Sequence, residues 1–382
     1  MNFGTSPEQD AMLETVDRLI ATHLPPDEVR RRDSEFEPPN HLLKVYAEAG
    51  ILALPLPAEY GGLNESWTSV SLVHERLGYH AAMAGSLFGT TVGFGSMSVL
   101  TYGSEDQKRD LLPRIVSGDL RFSLALTEPG AGSDAGALIT KARRTNRGWV
   151  INGRKTWISD ANCADYILTA CRTAPDSKGS RGITMLLVPK GADGIHMTPL
   201  KKVGNNCLTS WDIAFEDVEV SDDAVLGDVD NGFKNLMSTL HYSRAGQAAN
   251  ATGQAQRAVD ITVAHAKERE QFGGPLANFQ VVQHRLVDMQ TRVDQARHVL
   301  YYLSWLITEG KRCRKEAAQS KMVATECLQY VAHHGMQILA SAGYSSESDM
   351  QRIWRDARLY TFGEGAVELQ RDIIAREMGL RN

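Results

Sequence analysis

The 382-residue sequence is short of several features that mark particular classes of protein. It has no basic excess: the formal net charge is −5, and the only dense basic runs are Arg30–Arg32 and Lys311–Lys315. A nucleic-acid surface usually carries a strong basic excess, so we expect none here. The sequence also has no uninterrupted apolar run of the roughly 18 residues that a membrane-spanning helix needs, so we expect no membrane span.

Cysteine is scarce, and the thiols show neither a disulfide pattern nor a metal pattern. Their number is odd and no pair has C-x-x-C spacing; they are Cys163, Cys171, Cys207, Cys313 and Cys327. The adjacent pair His333-His334 belongs to no HExxH motif or Cys/His cluster, so we expect no metal site. The first ten residues are polar and include acids, unlike a secretory signal. Reduced, mostly buried thiols in the cytoplasm are therefore expected.

The spacing of apolar residues along the sequence changes at two places. Residues 1–120 carry helical apolar spacing and two capping boxes, Ser6-Pro7-Glu8-Gln9 and Ser104-Glu105-Asp106-Gln107. Residues 121–230 hold short β-rich runs between turn residues, which predicts an antiparallel β domain. The 3.6-residue period returns over residues 231–382. We therefore predict an α+β fold with an N-terminal all-α domain, a central β domain and a C-terminal helical bundle.

The most informative segment, residues 126–134, reads LTEPGAGSD and follows a predicted strand. Its glycines allow backbone N–H groups to approach a polar or anionic ligand closely. Gly130-x-Gly132-x-x-Ala135 also fits a dinucleotide-binding fingerprint, which requires a helix directly afterwards within a parallel βαβ unit. The next segment, Ala137–Thr145, instead has the composition of a strand, so we reject a nicotinamide-binding fold. A plain glycine-rich turn is the alternative for this segment taken alone.

Three further motifs follow in order along the chain. Residues 153–159 read GRKTWIS, residues 269–273 read REQFG, with Phe279-Gln280 shortly after, and residues 355–358, RDAR, precede Glu364-Gly365. Together with LTEPGAGSD, these motifs resemble the acyl-CoA dehydrogenase family over essentially the whole chain, including the α–β–α order. The resemblance implies the fold of that family, with a C-terminal four-helix bundle, and FAD-dependent α,β-dehydrogenation of an acyl thioester.

The resemblance also implies roles for individual residues. Flavin contacts, some of them across a subunit boundary, are implied for Leu126, Thr127, Gly132, Ser133, Trp157, Ser159, Arg269, Phe272, Gln280 and Gln337. Substrate contacts are implied for Ser133, Arg244 and Gly365. Residues 84–100, which we expect to line the acyl pocket, contain no Arg or Lys, and this disfavours an acyl group with a free carboxylate.

Glu364 is the predicted catalytic base. It lies between Gly363 and Gly365, directly before an apolar-periodic segment that predicts a helix, so its side chain projects from a loop-to-helix junction. Removing the weakly acidic α-proton of a thioester needs a base whose pKa is raised by an apolar pocket. The plain alternative is an acid that favours the positive end of a helix. Ser243 cannot serve as the base that some relatives carry at its position, directly before Arg244.

The resemblance further implies partners and leaves alternatives open. It implies an acyl-CoA substrate, electron transfer to an electron-transfer flavoprotein, and a homodimer or homotetramer. One alternative is a substrate carried by an acyl-carrier protein. Another is a monooxygenase or desulfinase on the same fold, although such enzymes generally lack the carboxylate base that Glu364 would supply. A non-catalytic or nucleic-acid-binding homologue is disfavoured by the acidic charge.

Overall fold

The computed structural model describes residues 4–380, and its N-terminal part is helical. The helices are α1 Pro7–His23, α2 Pro26–Glu35, α3 Leu42–Glu48, α4 Trp67–His80, α5 Ala82–Gly89, α6 Met97–Tyr102 and α7 Glu105–Val116. Both predicted capping boxes are present: Ser6 Oγ accepts the Gln9 N–H at 3.3 Å, and Ser104 Oγ accepts the Gln107 N–H at 3.2 Å. Because serine oxygens satisfy these exposed N–H groups, α1 and α7 begin where the sequence predicts.

A π-helical segment, Thr90–Ser96, joins α5 to α6 and makes one continuous helical run, Ala82–Tyr102. By length and composition alone this run could cross a membrane, although the sequence analysis expected no such span. Glycine, serine and threonine interrupt its apolar residues, but it contains no charge. Because 72% of the apolar window is buried inside the protein, the run has the burial of a core helix and is weak evidence for a membrane span.

The central part is a sheet of eight strands. They are β1 Phe122–Ala125, β2 Lys141–Thr145, β3 Gly148–Ser159, β4 Tyr166–Arg172, β5 Ile183–Pro189, β6 Ile195–Pro199, β7 Ser210–Val220 and β8 Val225–Leu226. The strand order is β6-β7-β3-β2-β4-β5-β8, with β1 added on β4. Most pairs are antiparallel, as predicted, while β1 and β2 pair with β4 in parallel.

The C-terminal part is again helical. Its elements are α8 Gly232–Glu268, the short strands β9 Glu270–Gln271 and β10 Gly274–Pro275, α9 Gln280–Thr308, α10 Arg314–Leu339, α11 Ser341–Tyr344, α12 Asp349–Tyr360 and α13 Val367–Glu377. Helix α8 packs against α4 of the N-terminal part and against α9 and α10. One hydrophobic core therefore runs from the N-terminal helices into the C-terminal bundle. The domain divisions at residues 120 and 230 stay a prediction.

The structure after LTEPGAGSD is not a parallel βαβ unit, which a dinucleotide-binding fingerprint requires. A single 3₁₀ turn, Ala135–Ala137, follows the glycines, and β2 then pairs with β3 in antiparallel register. The predicted strand over residues 137–145 was too long at its start, since β2 begins at Lys141. A helix N-terminus, which would hold a dinucleotide pyrophosphate, does not follow this loop.

Candidate active site

Glu364 lies in a tight turn between α12 and α13. Its backbone has φ +53°, a left-handed conformation that is unfavourable for a residue with a Cβ, and Gly365 follows with φ +94°. Such a conformation persists only where the surroundings hold it in place. The prediction of a loop-to-helix junction is confirmed, because α13 begins at Val367.

A buried lysine holds this turn. Lys321, in the middle of α10, is 0% exposed, and its Nζ donates hydrogen bonds to the carbonyl oxygens of Gly363 and Gly365. Gln370 Nε2 donates a further bond to the Gly365 oxygen at 3.0 Å. The residues on both sides of Glu364 are thus tied to one ammonium group. Sequence analysis missed Lys321; its only signal was a lysine on the otherwise apolar face of a predicted helix.

The electrostatics around Glu364 change the proton affinity of its carboxylate. Part of the Glu364 side chain is exposed to solvent in the single chain, while protein atoms lie close around its carboxylate. Burial raises the pKa of Glu364 to about 7, although Lys321, the side chains of Ser243 and Gln247, and Arg244 all act to lower that pKa. At this pKa a carboxylate can take a proton near neutral pH and still be half deprotonated there.

Two cations share the surroundings of Glu364. Burial lowers the pKa of Lys321 to about 8, an effect that Glu364 opposes. Arg244, on α8, is 6% exposed, and burial lowers the pKa of its guanidinium to about 10, which Glu364 also opposes. Three predicted residues, Glu364, Arg244 and Gly365, therefore lie in one region. Since both cations stay charged at neutral pH, the region favours negative charge on a ligand.

In the β domain a buried ion pair shapes the LTEPGAGSD loop. Lys155 Nζ donates to Glu128 Oε1 at 2.8 Å and to the Leu126 carbonyl oxygen at 3.1 Å. The Glu128 carboxylate also accepts the N–H groups of Ile139 and Thr140, at 2.7 and 2.9 Å. Burial acts to raise the pKa of Glu128, but Lys155 and these donors outweigh it and lower the pKa. The start of the loop is therefore fixed to β3, and the Glu128 carboxylate ties it to the residues directly before β2.

Trp157 projects from β3, the strand that carries Lys155. It has φ +58° and lies at an irregularity in the pairing of β3 with β7, which turns its ring outward so that it is 55% exposed. The Thr156 N–H donates to the Thr127 carbonyl oxygen at 2.9 Å, and Ser123 Oγ donates to the Ser159 carbonyl oxygen at 2.6 Å. The loop that carries Thr127 and the strand that carries Trp157 and Ser159 therefore lie side by side.

These residues have the character of a flavin site. Trp157 offers an exposed planar ring, and half-buried Leu126, Thr127 and Ser159 lie on the same framework. Gly132 and Ser133 are exposed on the adjoining loop, and a Cβ on Gly132 would meet nothing within 4 Å, so the backbone there is open to a ligand. An isoalloxazine needs an apolar face for stacking and hydrogen-bonding groups at its edge, and this surface has both.

The other predicted flavin residues lie elsewhere. Arg269, Phe272 and Gln280 come together at one exposed corner, formed by the β9–β10 hairpin and the start of α9; Phe272 is 95% exposed. Gln337 is exposed near the end of α10. At 1.5 Å per residue, Arg269 lies about 37 Å along α8 from Arg244. One chain therefore does not bring all the predicted residues into one site.

Residues 4–380 contain no group of three or more His, Cys, Asp or Glu side chains placed to hold a metal ion. The cysteines are free: Cys171, Cys207, Cys313 and Cys327 are buried and Cys163 is half-buried.

Comparison with protein families matches three domain models in chain order. Residues 6–119 match the acyl-CoA dehydrogenase N-terminal domain, residues 123–218 the middle domain and residues 230–379 the C-terminal domain.

Individual proteins agree. The chain is 36% identical over 379 residues to the probable acyl-CoA dehydrogenase YngJ of Bacillus subtilis, covering 99% of this chain and 100% of that protein. It is 33% identical to subunit CarC of the caffeyl-CoA reductase–Etf complex of Acetobacterium woodii, covering 96% and 97%. Among solved structures, butyryl-CoA dehydrogenase of Megasphaera elsdenii has a TM-score of 0.95 at 30% identity, covering 100% of both chains. The FAD complex of PigA has a TM-score of 0.94 at 26% identity, also covering 100% of both chains.

Proposed function

The chain belongs to the acyl-CoA dehydrogenase family, and from this premise we propose that Glu364 is the base that removes the α-proton of an acyl-CoA thioester. The family makes the protein an oxidoreductase and implies acyl-CoA dehydrogenation with FAD. The observation that carries the assignment of the base is the turn itself: a left-handed Glu364, anchored by Lys321, whose pKa burial raises to about 7.

The proton transfer uses groups of this chain. The ionised Glu364 accepts the α-proton, and the electron pair of the broken C–H bond moves toward the thioester carbonyl oxygen. Glu364 becomes neutral in this step, so the positive charges of Lys321 and Arg244 then favour the negative charge that develops on the substrate. The Glu364 N–H makes no backbone hydrogen bond within residues 4–380, and we propose that it donates to the carbonyl oxygen.

The proposed flavin site lies on the β domain. Leu126, Thr127, Trp157 and Ser159 would contact the isoalloxazine, and Gly132 and Ser133 would contact flavin and substrate on the open side of the loop. When bound, FAD supplies the acceptor for the hydride that leaves the β-carbon. The Lys155–Glu128 ion pair fixes the loop and strand that carry these residues.

We propose a homodimer or homotetramer in which a second copy completes the flavin site. Arg269, Phe272, Gln280 and Gln337 are exposed, and Arg269 lies about 37 Å along α8 from Arg244, so these residues would serve a neighbouring subunit. Exposed Val281, Val287, Tyr302 and Trp305 on α9 supply apolar surface of the kind that subunit interfaces cover.

The proposed electron acceptor is an electron-transfer flavoprotein. The similarity to CarC, a subunit of a caffeyl-CoA reductase–Etf complex, supports this partner. Four buried free thiols support a reducing compartment such as the cytoplasm.

The test is an anaerobic absorbance titration of the purified yellow protein with straight-chain acyl-CoAs. The wild type should bleach the flavin band, while Glu364→Gln should retain FAD and bleach at least ~100-fold more slowly, because a positioned general base contributes about 10²–10⁴ in rate. Glu368→Gln, an exposed acid in the first turn of α13, is the matched control and should behave as the wild type. Bleaching at the wild-type rate by Glu364→Gln would remove Glu364 from the mechanism and favour a same-fold enzyme of different chemistry.

A further inference from the structure

The loop between β6 and β7 packs against α12, the helix that leads into the Glu364 turn. The Asn205 N–H donates to Asp356 Oδ1 at 2.5 Å, and Asn205 Nδ2 donates to the Asp356 carbonyl oxygen at 3.0 Å. A Cβ on Gly204 would lie 2.6 Å from the Arg355 carbonyl oxygen, so the backbone of the loop lies directly on the helix. One residue of the loop therefore makes two hydrogen bonds to one residue of α12.

This contact is buried, and the loop is strained where it forms. Asn205 and Asp356 are both buried. Asn205 has φ +52°, a left-handed conformation that asparagine tolerates better than most residues and that persists only where the surroundings hold it. The Lys202 ammonium donates to the carbonyl oxygens of Asn205 and Leu208, and the Leu208 N–H donates to the Asn205 oxygen at 3.0 Å. The loop is thus held both by its own contacts and by α12.

The N-terminal helices meet the loop at the same place. Arg355, directly before Asp356, forms an ion pair with Asp33 of α2 and donates to the Val203 carbonyl oxygen at 3.3 Å. Asn206 Nδ2 donates to the Asp33 carbonyl oxygen at 3.0 Å. Helices from both ends of the chain and a loop of the sheet therefore form one buried junction.

From this junction the loop continues directly to the proposed flavin site. Thr209 Oγ1 donates to Asp160 Oδ1 at 2.9 Å, and the Thr209 carbonyl oxygen accepts the Asp160 N–H at 2.9 Å. Ser210, the first residue of β7, then pairs with Ser159 of β3, two residues from Trp157. The segment of β3 that carries Trp157 and Ser159 is therefore joined to the loop that packs against α12.

On the other side of the junction, α12 leads into the Glu364 turn. The Gly363 N–H donates to the Leu359 carbonyl oxygen at 2.8 Å, in the last turn of the helix. The Val367 N–H donates to the Thr361 carbonyl oxygen at 2.9 Å. Because the turn is hydrogen-bonded to the end of α12, a shift of the sheet relative to α12 would change the distance between Glu364 and the flavin site.

The sheet is attached to the C-terminal helices at opposite edges. The strand order places β6 and β7 at one edge and β5 and β8 at the other. At the β5 edge the chain passes into α8: Ile183 pairs with Asn231, and a Cβ on Gly232 would lie 2.5 Å from the Met185 backbone nitrogen. A sheet held at this edge alone could turn about it, whereas the contact of Asn205 with α12 fixes the opposite edge.

We infer that Asn205 and Asp356 are positioning residues, whose two hydrogen bonds set the distance between the flavin face at Trp157 and the Glu364 carboxylate. This inference rests on the proposed function, since it takes Trp157 as a flavin contact and Glu364 as the base. The proton and the hydride leave adjacent carbons of one acyl group, so base and flavin must both fit that group at the same time. A misplacement of about 1 Å can cost about 10²-fold in rate.

The test is anaerobic flavin bleaching by the straight-chain acyl-CoA that bleaches the wild type fastest, with the rate constant and the amplitude recorded separately. Asp356→Ala removes the acceptor of the Asn205 N–H, and its rate constant should fall about ten- to hundredfold at full amplitude. Because thioester binding is not the affected step, the half-saturating concentration should change by less than about threefold. Asn205→Gly suits the left-handed backbone and removes only the side-chain bond, so its rate constant should fall several-fold. Asp356→Asn keeps an oxygen acceptor and should recover most of the rate.

A second readout does not depend on activity. Backbone hydrogen–deuterium exchange in Asp356→Ala should become faster at residues 203–209 and stay unchanged at residues 183–189, in β5. Ser304→Ala is the control, because it removes a buried 2.8 Å hydroxyl bond to Ser71, between α9 and α4. It should change neither the bleaching rate constant nor the exchange at residues 203–209.

A merely structural role for the junction predicts a different pattern, in which less protein is active, the amplitude falls and the rate constant stays the same. That pattern in folded Asp356→Ala, or equal losses of rate in Asp356→Ala and Asp356→Asn, would overturn the inference and leave the dehydrogenase assignment intact. If Asp356→Ala does not fold, a wild-type rate constant in Asn205→Gly would overturn it. If no acyl-CoA bleaches the wild-type flavin, the proposed function itself fails, and the inference fails with it.

Discussion

Replacing Lys321 with methionine tests how the turn at Glu364 works. The substitution keeps most of the side-chain volume in the core but removes the ammonium group that binds the carbonyl oxygens of Gly363 and Gly365. The Gly365 oxygen keeps its bond from Gln370, so only the half-buried Gly363 oxygen loses its donor. An unpaired buried carbonyl costs about 1–3 kcal/mol. Part of this is offset, because burying the Lys321 charge was itself unfavourable, so the protein should still fold.

The larger effect should fall on the base. Lys321 acts to lower the pKa of Glu364, so its removal should raise that pKa further. An opposite charge within ~4–6 Å shifts a pKa by about 1–3 units, and a cation held on the far side of the turn backbone should give about one unit. The pKa would then rise from about 7 to about 8. At pH 7 the deprotonated fraction of Glu364 would fall from about half to about one tenth, a roughly fivefold loss in kcat/KM.

The assay is the pH dependence of kcat/KM between pH 5.5 and 9.5. In Lys321→Met the acidic limb of the kcat/KM profile should move up by about one pH unit. The loss in kcat/KM that comes from protonation of Glu364 should therefore vanish near pH 9. A loss that persists at pH 9 reports misplacement of the carboxylate. Lys315→Met, at a lysine of the same helix whose side chain is 41% exposed, is the control and should leave the acidic limb of the profile unchanged. A limb in Lys321→Met within about 0.2 units of the wild type would refute the electrostatic reasoning.

Three further predictions concern single groups. Because Glu364 must be deprotonated to act and its pKa is raised to about 7, wild-type kcat/KM should fall tenfold per pH unit below that value; a flat profile from pH 5.5 to 8 would contradict the assignment. Lys155→Met leaves the Glu128 carboxylate buried without its partner, so the free energy of unfolding measured with denaturant should fall by about 3–5 kcal/mol. The double variant Lys155→Met/Glu128→Gln should recover part of this loss. Burial raises the pKa of Asp356 to about 6, so ionisation of Asp356 destabilises the folded state as pH rises from about 4 to 6. Asp356→Asn should therefore stabilise the protein by about 1 kcal/mol more at pH 8 than at pH 5. An equal effect at both pH values would contradict this prediction.

The parts of the fold that were predictable are those that depend on neighbouring residues. Ser6 and Ser104 mark the beginnings of α1 and α7, because a serine oxygen and the N–H three residues later are always close at a helix start. The run Ala82–Tyr102 marks the limit of such reasoning. Its length and composition would suit a membrane span, and only its packing against α8 and β1 gives it the burial of a core helix.

For the candidate site, the motifs identified residues but not what holds them. Glu364 was predicted from its place in a motif that resembles the family, between two glycines. Lys321, by contrast, lies 42 residues from Gly363 and reaches it only because α10 packs against the α12–α13 turn. Glu128 and Lys155 both stand in recognised motifs, yet nothing in their spacing indicates that they form a buried pair.

The sequence by itself determined the order of helices and strands, the family and the residue that acts as the proposed base, because capping, periodicity and short motifs are local properties. Tertiary structure decided the left-handed turn, the lysine that anchors it, and the raised pKa of Glu364. These features depend on which side chains meet across α8, α10 and α12. Such contacts join residues distant in sequence, and burial, which sets their energies, exists only once the helices have packed.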